Sequence, residues 1–204
     1  CLFRVIKNKT HQRSMTDQIN VLVTKSRDKI ICLDSETTGL DLSRDEILQL
    51  SIINGNGKVL FNEYIKPSHR KSWRAAEAKH GISPDMVKDK APITKYSAEI
   101  SQIIEETSLI VGYNLIRFDL ELLRKAKIIP HDVYVVDVMQ NFSPIYGDWN
   151  PKYKDYTYKK LEVCARYYKY PRFRAHDSLQ DAKATLYCFY EMQKRKQIKF
   201  IDTV

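Results

Sequence analysis

No window of this chain approaches the eighteen or so consecutive apolar residues that a membrane-spanning helix needs. No signal peptide opens it either, so the expectation is a soluble, cytoplasmic protein with no membrane partner. Cysteine is sparse and unpatterned: Cys1, Cys32, Cys164 and Cys188 are far apart and form no Cys-x-x-Cys or Cys/His ligand spacing. That argues against zinc and favours free, buried thiols in a reducing compartment. Acids are the minority charge, 25 against 34 lysines and arginines, which leaves +9. Such a balance suits a polyanionic partner and is equally compatible with plain solubility. The chain opens on Cys1 in place of methionine, which reads as a fragment of a longer polypeptide or a processed chain.

What is present is enough for a core. At 204 residues and 43% hydrophobic, the length fits one domain with appendages. Residues 1–28 differ from the rest: they carry six Lys/Arg against two Asp, with short strands expected at residues 3–6 and 19–23. They read as an N-terminal tail or the end of a preceding domain, joined by a linker around residues 24–28. A compact pattern runs from 29 to 204. Strands are expected at 30–33, 46–54, 58–65, 109–112 and 133–136, with a Gly55-Asn56-Gly57 turn between the second and third. Helices are expected at 72–80, stopped by Gly81, and at 93–106, 120–127, 159–168 and 177–193. Asp137 starts a further helix, where an N-cap role accounts for it. The fold class is α/β, a mixed β-sheet of about five strands flanked by helices.

The chemistry centres on residues 30–40. Four apolar residues lead into Asp34-Ser35-Glu36, and residues two apart on a strand project to one face. Two carboxylates held together repel each other unless a proton or cation intervenes, so a hard divalent metal is the natural occupant. Asp119 at the mouth of one helix and Asp181 inside the last one add two more acids, and His176 precedes Asp181 by five residues. Four carboxylates and one imidazole meet the needs of a two-metal phosphodiesterase, whose ions lie about 3.5 to 4 Å apart. Five helical residues turn through roughly 500°, which would leave His176 and Asp181 about 140° apart, so His176 belongs on the loop before the helix.

Three segments, Asp34-Ser-Glu36-Thr-Thr-Gly-Leu40, Gly112-Tyr-Asn114-x-x-x-Phe118-Asp119 and His176-x-Ser-x-x-Asp181, resemble in order the motifs of the DnaQ-like DEDDh family of 3'→5' exonucleases, which has a ribonuclease H-like fold. His80-Gly81-Ile82 and the pattern from Tyr158 to Tyr168 resemble secondary features of that family. The resemblance implies Asp34, Glu36, Asp119 and Asp181 as ligands of two Mg²⁺ or Mn²⁺ ions and His176 as general base. It implies Thr37, Thr38, Leu40, Asn114 and Phe118 as the pocket for the terminal nucleotide, with His80 either near the substrate or simply capping its helix. Phe118 is also open to a core-packing role. Asp177, where the sister DEDDy group carries tyrosine, makes the base histidine. Three departures stand out: Tyr113 for histidine, Ser178 for alanine and Gln49 for glutamate, and they bear on substrate handling.

The activity so implied is a metal-dependent 3'→5' exonuclease releasing nucleoside 5'-monophosphates from single-stranded or 3'-overhanging DNA. The alternatives are an exoribonuclease and a nucleic-acid-binding module with a vestigial site. The settings the family offers are proofreading, repair and turnover, with a polymerase as partner. Residues 1–23 also resemble the C-terminal tail of the small subunit of the CRISPR spacer-integration complex, which implies trimming of 3' overhangs before integration. The segment from Tyr146 to Arg174, rich in tyrosine and lysine, is either a solvated face with packed aromatic stems or a grip on single strands.

Overall fold

The computed structural model describes residues 9–128, 133–171 and 173–203. Its first strand, β1 (Ile30–Thr37), is central. It pairs antiparallel with β2 (Ile47–Asn54), which pairs antiparallel with β3 (Val59–Tyr64). On its other side it runs parallel to β4 (Leu109–Gly112), which is parallel to β5 (Tyr134–Asp137). The helices are α1 (Lys9–Lys25), α2 (Arg74–His80), α3 (Pro84–Val87), α4 (Ser97–Glu105), α5 (Asp119–Lys125), α6 (Val138–Tyr146), α7 (Leu161–Tyr167) and α8 (Ser178–Lys194). A two-residue hairpin pair, β6 (Trp149–Asn150) and β7 (Asp155–Tyr156), stands apart, and β8 (Asp202–Thr203) adds an antiparallel edge beside β5. The main sheet therefore has six strands, in the order β3-β2-β1-β4-β5-β8, one more than expected.

Strand parity divides the core in two. Ile30 and Cys32 of β1 face one cluster, with Ala182, Leu186 and Phe189 of α8 and Phe142 of α6. Ile31 and Leu33 face the other, with Ile100 and Ile104 of α4 and Leu120 and Leu123 of α5. Asp34 and Glu36 continue the parity of Ile30 and Cys32, so the strand directs them toward the α8 side. The Cys32 thiol donates to the Ala182 carbonyl at 3.3 Å, an approach that the small alanine permits. Cys32, Cys164 and Cys188 are buried and unpaired, as expected.

The expectation for residues 19–23 was wrong: they form the last turns of α1, not a strand. The β-branched run has high strand propensity, yet Ile19 and Val23 lie four apart on one helical face and are buried against the first cluster, so packing overrides propensity. The strand expected at 3–6 lies outside the described residues, as does Cys1. Residues 24–28 are not a bare linker, since the Arg27 carbonyl accepts the Gly55 N–H at 3.1 Å and the Arg27 guanidinium lies 4.6 Å from the Tyr190 ring centre. The helix expected at 93–106 is broken at Tyr96 into a short 3-10 turn and α4. No helix among the described residues is long and apolar enough to cross a membrane.

Candidate active site

β1 delivers Asp34 and Glu36; α5 opens on Asp119; the first turn of α8 carries Asp181. Asp177 caps α8 by accepting the Gln180 N–H at 3.1 Å, which starts the helix where Asp181 faces inward. His176 lies on the loop before that cap, exposed, with φ of 65°. One donor atom each from Glu36, His176 and Asp181 falls within 4.8 Å of the others. Asp34 and Asp119 lie outside that trio: Asp119 accepts the Ser35 hydroxyl at its Oδ1 at 2.6 Å and is near enough to repel Asp34 and Glu36.

The acids feel one another. Burial first, then repulsion from Asp119, Asp181 and Glu36, holds the Asp34 carboxyl well above the usual carboxylate range. Burial, followed by repulsion from Asp181 and Asp119, lifts Glu36 to about 8. Burial also lifts Asp119 to about 7 against the Ser35 hydrogen bond, and Asp181 to about 7 against the His176 amide. Among the described residues the ion pairs made by lysine and arginine lie elsewhere. Oδ1 of Asp181 is buried without a hydrogen-bond partner. These carboxylates, one with an orphaned oxygen and with the His176 imidazole beside them, fit a hard divalent cation.

The exonuclease family model, RNase T, matches residues 31–189. The chain belongs to the exonuclease family. That span contains every residue of the constellation. The exonuclease is 30% identical over 181 residues to a PolC-type DNA polymerase III of Thermotoga maritima, covering 81% of this chain and 12% of that one. It is 27% identical over 173 residues to RNA exonuclease 4 of Xenopus laevis, covering 82% of this chain and 38% of the relative. The chain thus spans well under half the length of these relatives. In structure it resembles E. coli exonuclease I solved in complex with a dA16 oligonucleotide, with a TM-score of 0.66 and 22% identity over 82% of this chain and 41% of that one. This likeness shows the ribonuclease H-like exonuclease fold, and the fold class expected from the sequence holds.

The residues expected to line the exonuclease's nucleotide pocket separate into two groups. Leu40 is 77% exposed at the end of β1, open to a ligand. Asn114 sits on the β4–α5 loop with φ of 58°, and Phe118 packs partly into the second core cluster. The hydroxyls of Thr37 and Thr38 are turned inward: Thr37 donates to the Gly39 carbonyl at 2.7 Å, and Thr38 donates to Asp45 at 2.9 Å while accepting the Glu46 N–H. His80 is buried at the end of α2, with Nδ1 accepting the Ile82 N–H and Nε2 therefore donating to the Thr37 carbonyl at 3.1 Å. It braces the end of β1.

Sequence reasoning passed over three positioning residues. Ser35 was assigned no role, yet its hydroxyl holds Asp119. Asp137 caps α6 through the Met139 and Gln140 amides, as expected, and also accepts the Asn114 and Ile116 amides, which shapes the loop before Asp119. Ser51 meets Ser178 oxygen to oxygen at 2.6 Å, while Gln49 accepts the Ser178 N–H at 3.3 Å. Two of the departures from the family pattern, Gln49 and Ser178, are thus in contact across β2 and α8. The signal was there in their joint departure.

Proposed function

We propose that the chain is a 3'→5' exonuclease that releases nucleoside 5'-monophosphates from single-stranded or 3'-overhanging DNA. The observation that carries this reading is the convergence of Glu36, His176 and Asp181 within 4.8 Å, with Asp181 Oδ1 left unpartnered. Asp34, Glu36, Asp119 and Asp181 would hold two Mg²⁺ or Mn²⁺ ions, which when bound lower the pKa of water and offset charge on the phosphoryl and leaving oxygens. His176 takes the proton from the attacking water as its oxygen bonds to phosphorus. The bond from phosphorus to the penultimate 3' oxygen breaks, and the electron pair leaves with the shortened strand. Leu40 and the loop carrying Asn114 flank the terminal nucleotide; His80 and Asp137 hold those two elements in place.

The test is digestion of an oligonucleotide carrying a 5' label in Mn²⁺. A ladder shortening from the 3' end is expected for the wild type, and none on the same timescale for His176→Ala or Asp34→Ala; equal digestion by the variants overturns the assignment. RNA is the second reading, because a relative at 27% identity is named an RNA exonuclease. Matched DNA and RNA strands digested side by side decide between them. For the setting we assign proofreading, repair or trimming of 3' overhangs before CRISPR spacer integration, and co-purification with a polymerase or with an integration complex discriminates among these.

A further inference from the structure

All five exposed aromatic rings among the described residues lie in one stretch. Tyr146, Trp149, Tyr153, Tyr158 and Tyr167 are between 38% and 71% exposed, and the other tyrosines, tryptophan and phenylalanines are buried or half-buried. Such rings are usually at least partly covered, so five uncovered ones in one stretch form a candidate binding surface. This stretch includes the β6–β7 hairpin, where Trp149 stacks edge-on against Tyr156 at 5.2 Å between ring centres and Tyr153 stands at the tip. Lysines interleave the rings: Lys152 lies 5.4 Å from the centre of the Tyr153 ring and Lys159 lies 5.0 Å from that of Tyr146. Lys154 and Lys160 are exposed beside them.

The stretch is tied to the active-site loop. Arg117, two residues before Asp119, lies 5.2 Å from the centre of the Tyr158 ring. The Tyr113 hydroxyl donates to the Lys159 carbonyl at 2.6 Å, which gives the remaining departure from the family pattern a task. Rings and cations thus extend from the loop of Asp119, where Arg117 meets Tyr158 and Tyr113 meets Lys159, along the chain to the hairpin of Trp149 and Tyr153. We infer that this stretch is a stacking platform for the single strand that trails 5'-ward from the 3' end being cut. The inference rests on the exonuclease reading of the neighbouring site. Every base has a face that can stack on an aromatic ring, and the lysines meet the phosphates between, so the grip is tolerant of sequence and sensitive to salt.

The double variant Trp149→Ala/Tyr153→Ala removes two exposed rings and leaves the core untouched. On a DNA strand of about fifteen nucleotides its KM should rise roughly tenfold or more with kcat unchanged, while a trinucleotide, which on this reading ends before the hairpin, should be cleaved as by the wild type. Tyr153→Phe, which keeps the ring, should bind the long strand nearly as the wild type does, and Lys152→Gln/Lys154→Gln should flatten the dependence of affinity on salt. Fluorescence anisotropy of the labelled long strand in chelator reads binding without turnover. If the variant loses affinity there while the wild type cleaves nothing, the platform stands and the proposed activity falls. An unchanged KM and anisotropy on the long strand, or an equal loss on both lengths, overturns the platform and leaves the exonuclease reading intact.

Discussion

The backbone N–H of His176 donates to Oδ2 of Asp181 across 3.0 Å, so the loop histidine and the helical carboxylate hold each other in place. The bond offsets the cost of a left-handed backbone at a residue with a Cβ. It engages only the backbone N–H and leaves the exposed imidazole outside the bond. Replacing His176 by alanine keeps the amide and the bond, so the fold should be unchanged by circular dichroism while kcat falls by about 10²- to 10⁴-fold. A variant within a few-fold of wild type would remove His176 from the chemistry.

Stability of the metal-free protein should depend on pH with a definite sign. Burial raises Glu36 to about 8 and Asp119 and Asp181 to about 7, whereas in an unfolded chain such groups titrate near 4. Between those values the folded state binds more protons than the unfolded one, so this contribution is fully present below about pH 4 and is lost as pH rises through about 7 to 8. Mg²⁺ or Mn²⁺ should therefore raise Tm over a chelator-treated sample by more at about pH 8 than at about pH 6. Equal shifts at both pH values in a thermal melt would count against the carboxylate cage.

Ser35 points away from its two acidic neighbours and steadies a third acid 84 residues on. Changing it to alanine leaves Oδ1 of Asp119 without that donor. Metal affinity by titration calorimetry should weaken by about tenfold or more, with little change in Tm. No change in affinity would reduce Ser35 to a bystander.

Asp137 accepts from four backbone amides, two in its own helix and two in the Asn114 loop. Asp137→Ala should cost about 0.5 to 2 kcal/mol in denaturant titration through the lost cap alone. It should also lower activity, because the loop that precedes Asp119 loses its anchor. A stability loss with wild-type kcat in the folded fraction would show that the loop holds without it.

Gly39 is required by space. A Cβ there would lie 2.3 Å from Oδ2 of Asp45, the carboxylate that also binds Thr38. Gly39→Ala should destabilise by about 1 to 3 kcal/mol and disturb the rim at Leu40. A melting curve superimposable on wild type would mean that Asp45 moves aside freely.

Much of this was legible along the chain because it rests on short-range rules. Parity along β1 placed Asp34 and Glu36 on one face, Gly81 in the left-handed conformation ended α2, and the loop position of His176 followed from counting helical turns. The helical turns at residues 19–23 were not legible, since a β-branched run looks extended until Ile19 and Val23 find the core. The two-residue strand β8 carries too little pattern to be seen, and only the antiparallel partner β5 makes it a strand.

By itself the sequence determined where the acids and the histidine fall in the local structure: Asp34 and Glu36 toward the end of a strand, Asp119 and Asp181 in the first turns of helices and His176 on the loop before one, features whose signals span only a few positions. Tertiary structure decided what holds them. Ser35 with Asp119, Gln49 and Ser51 with Ser178, Tyr113 with Lys159 and His80 with Thr37 are pairs separated by 43 to 129 positions. No local periodicity relates such pairs; they exist because the order and register of the strands bring distant chain segments to one end of the central strands.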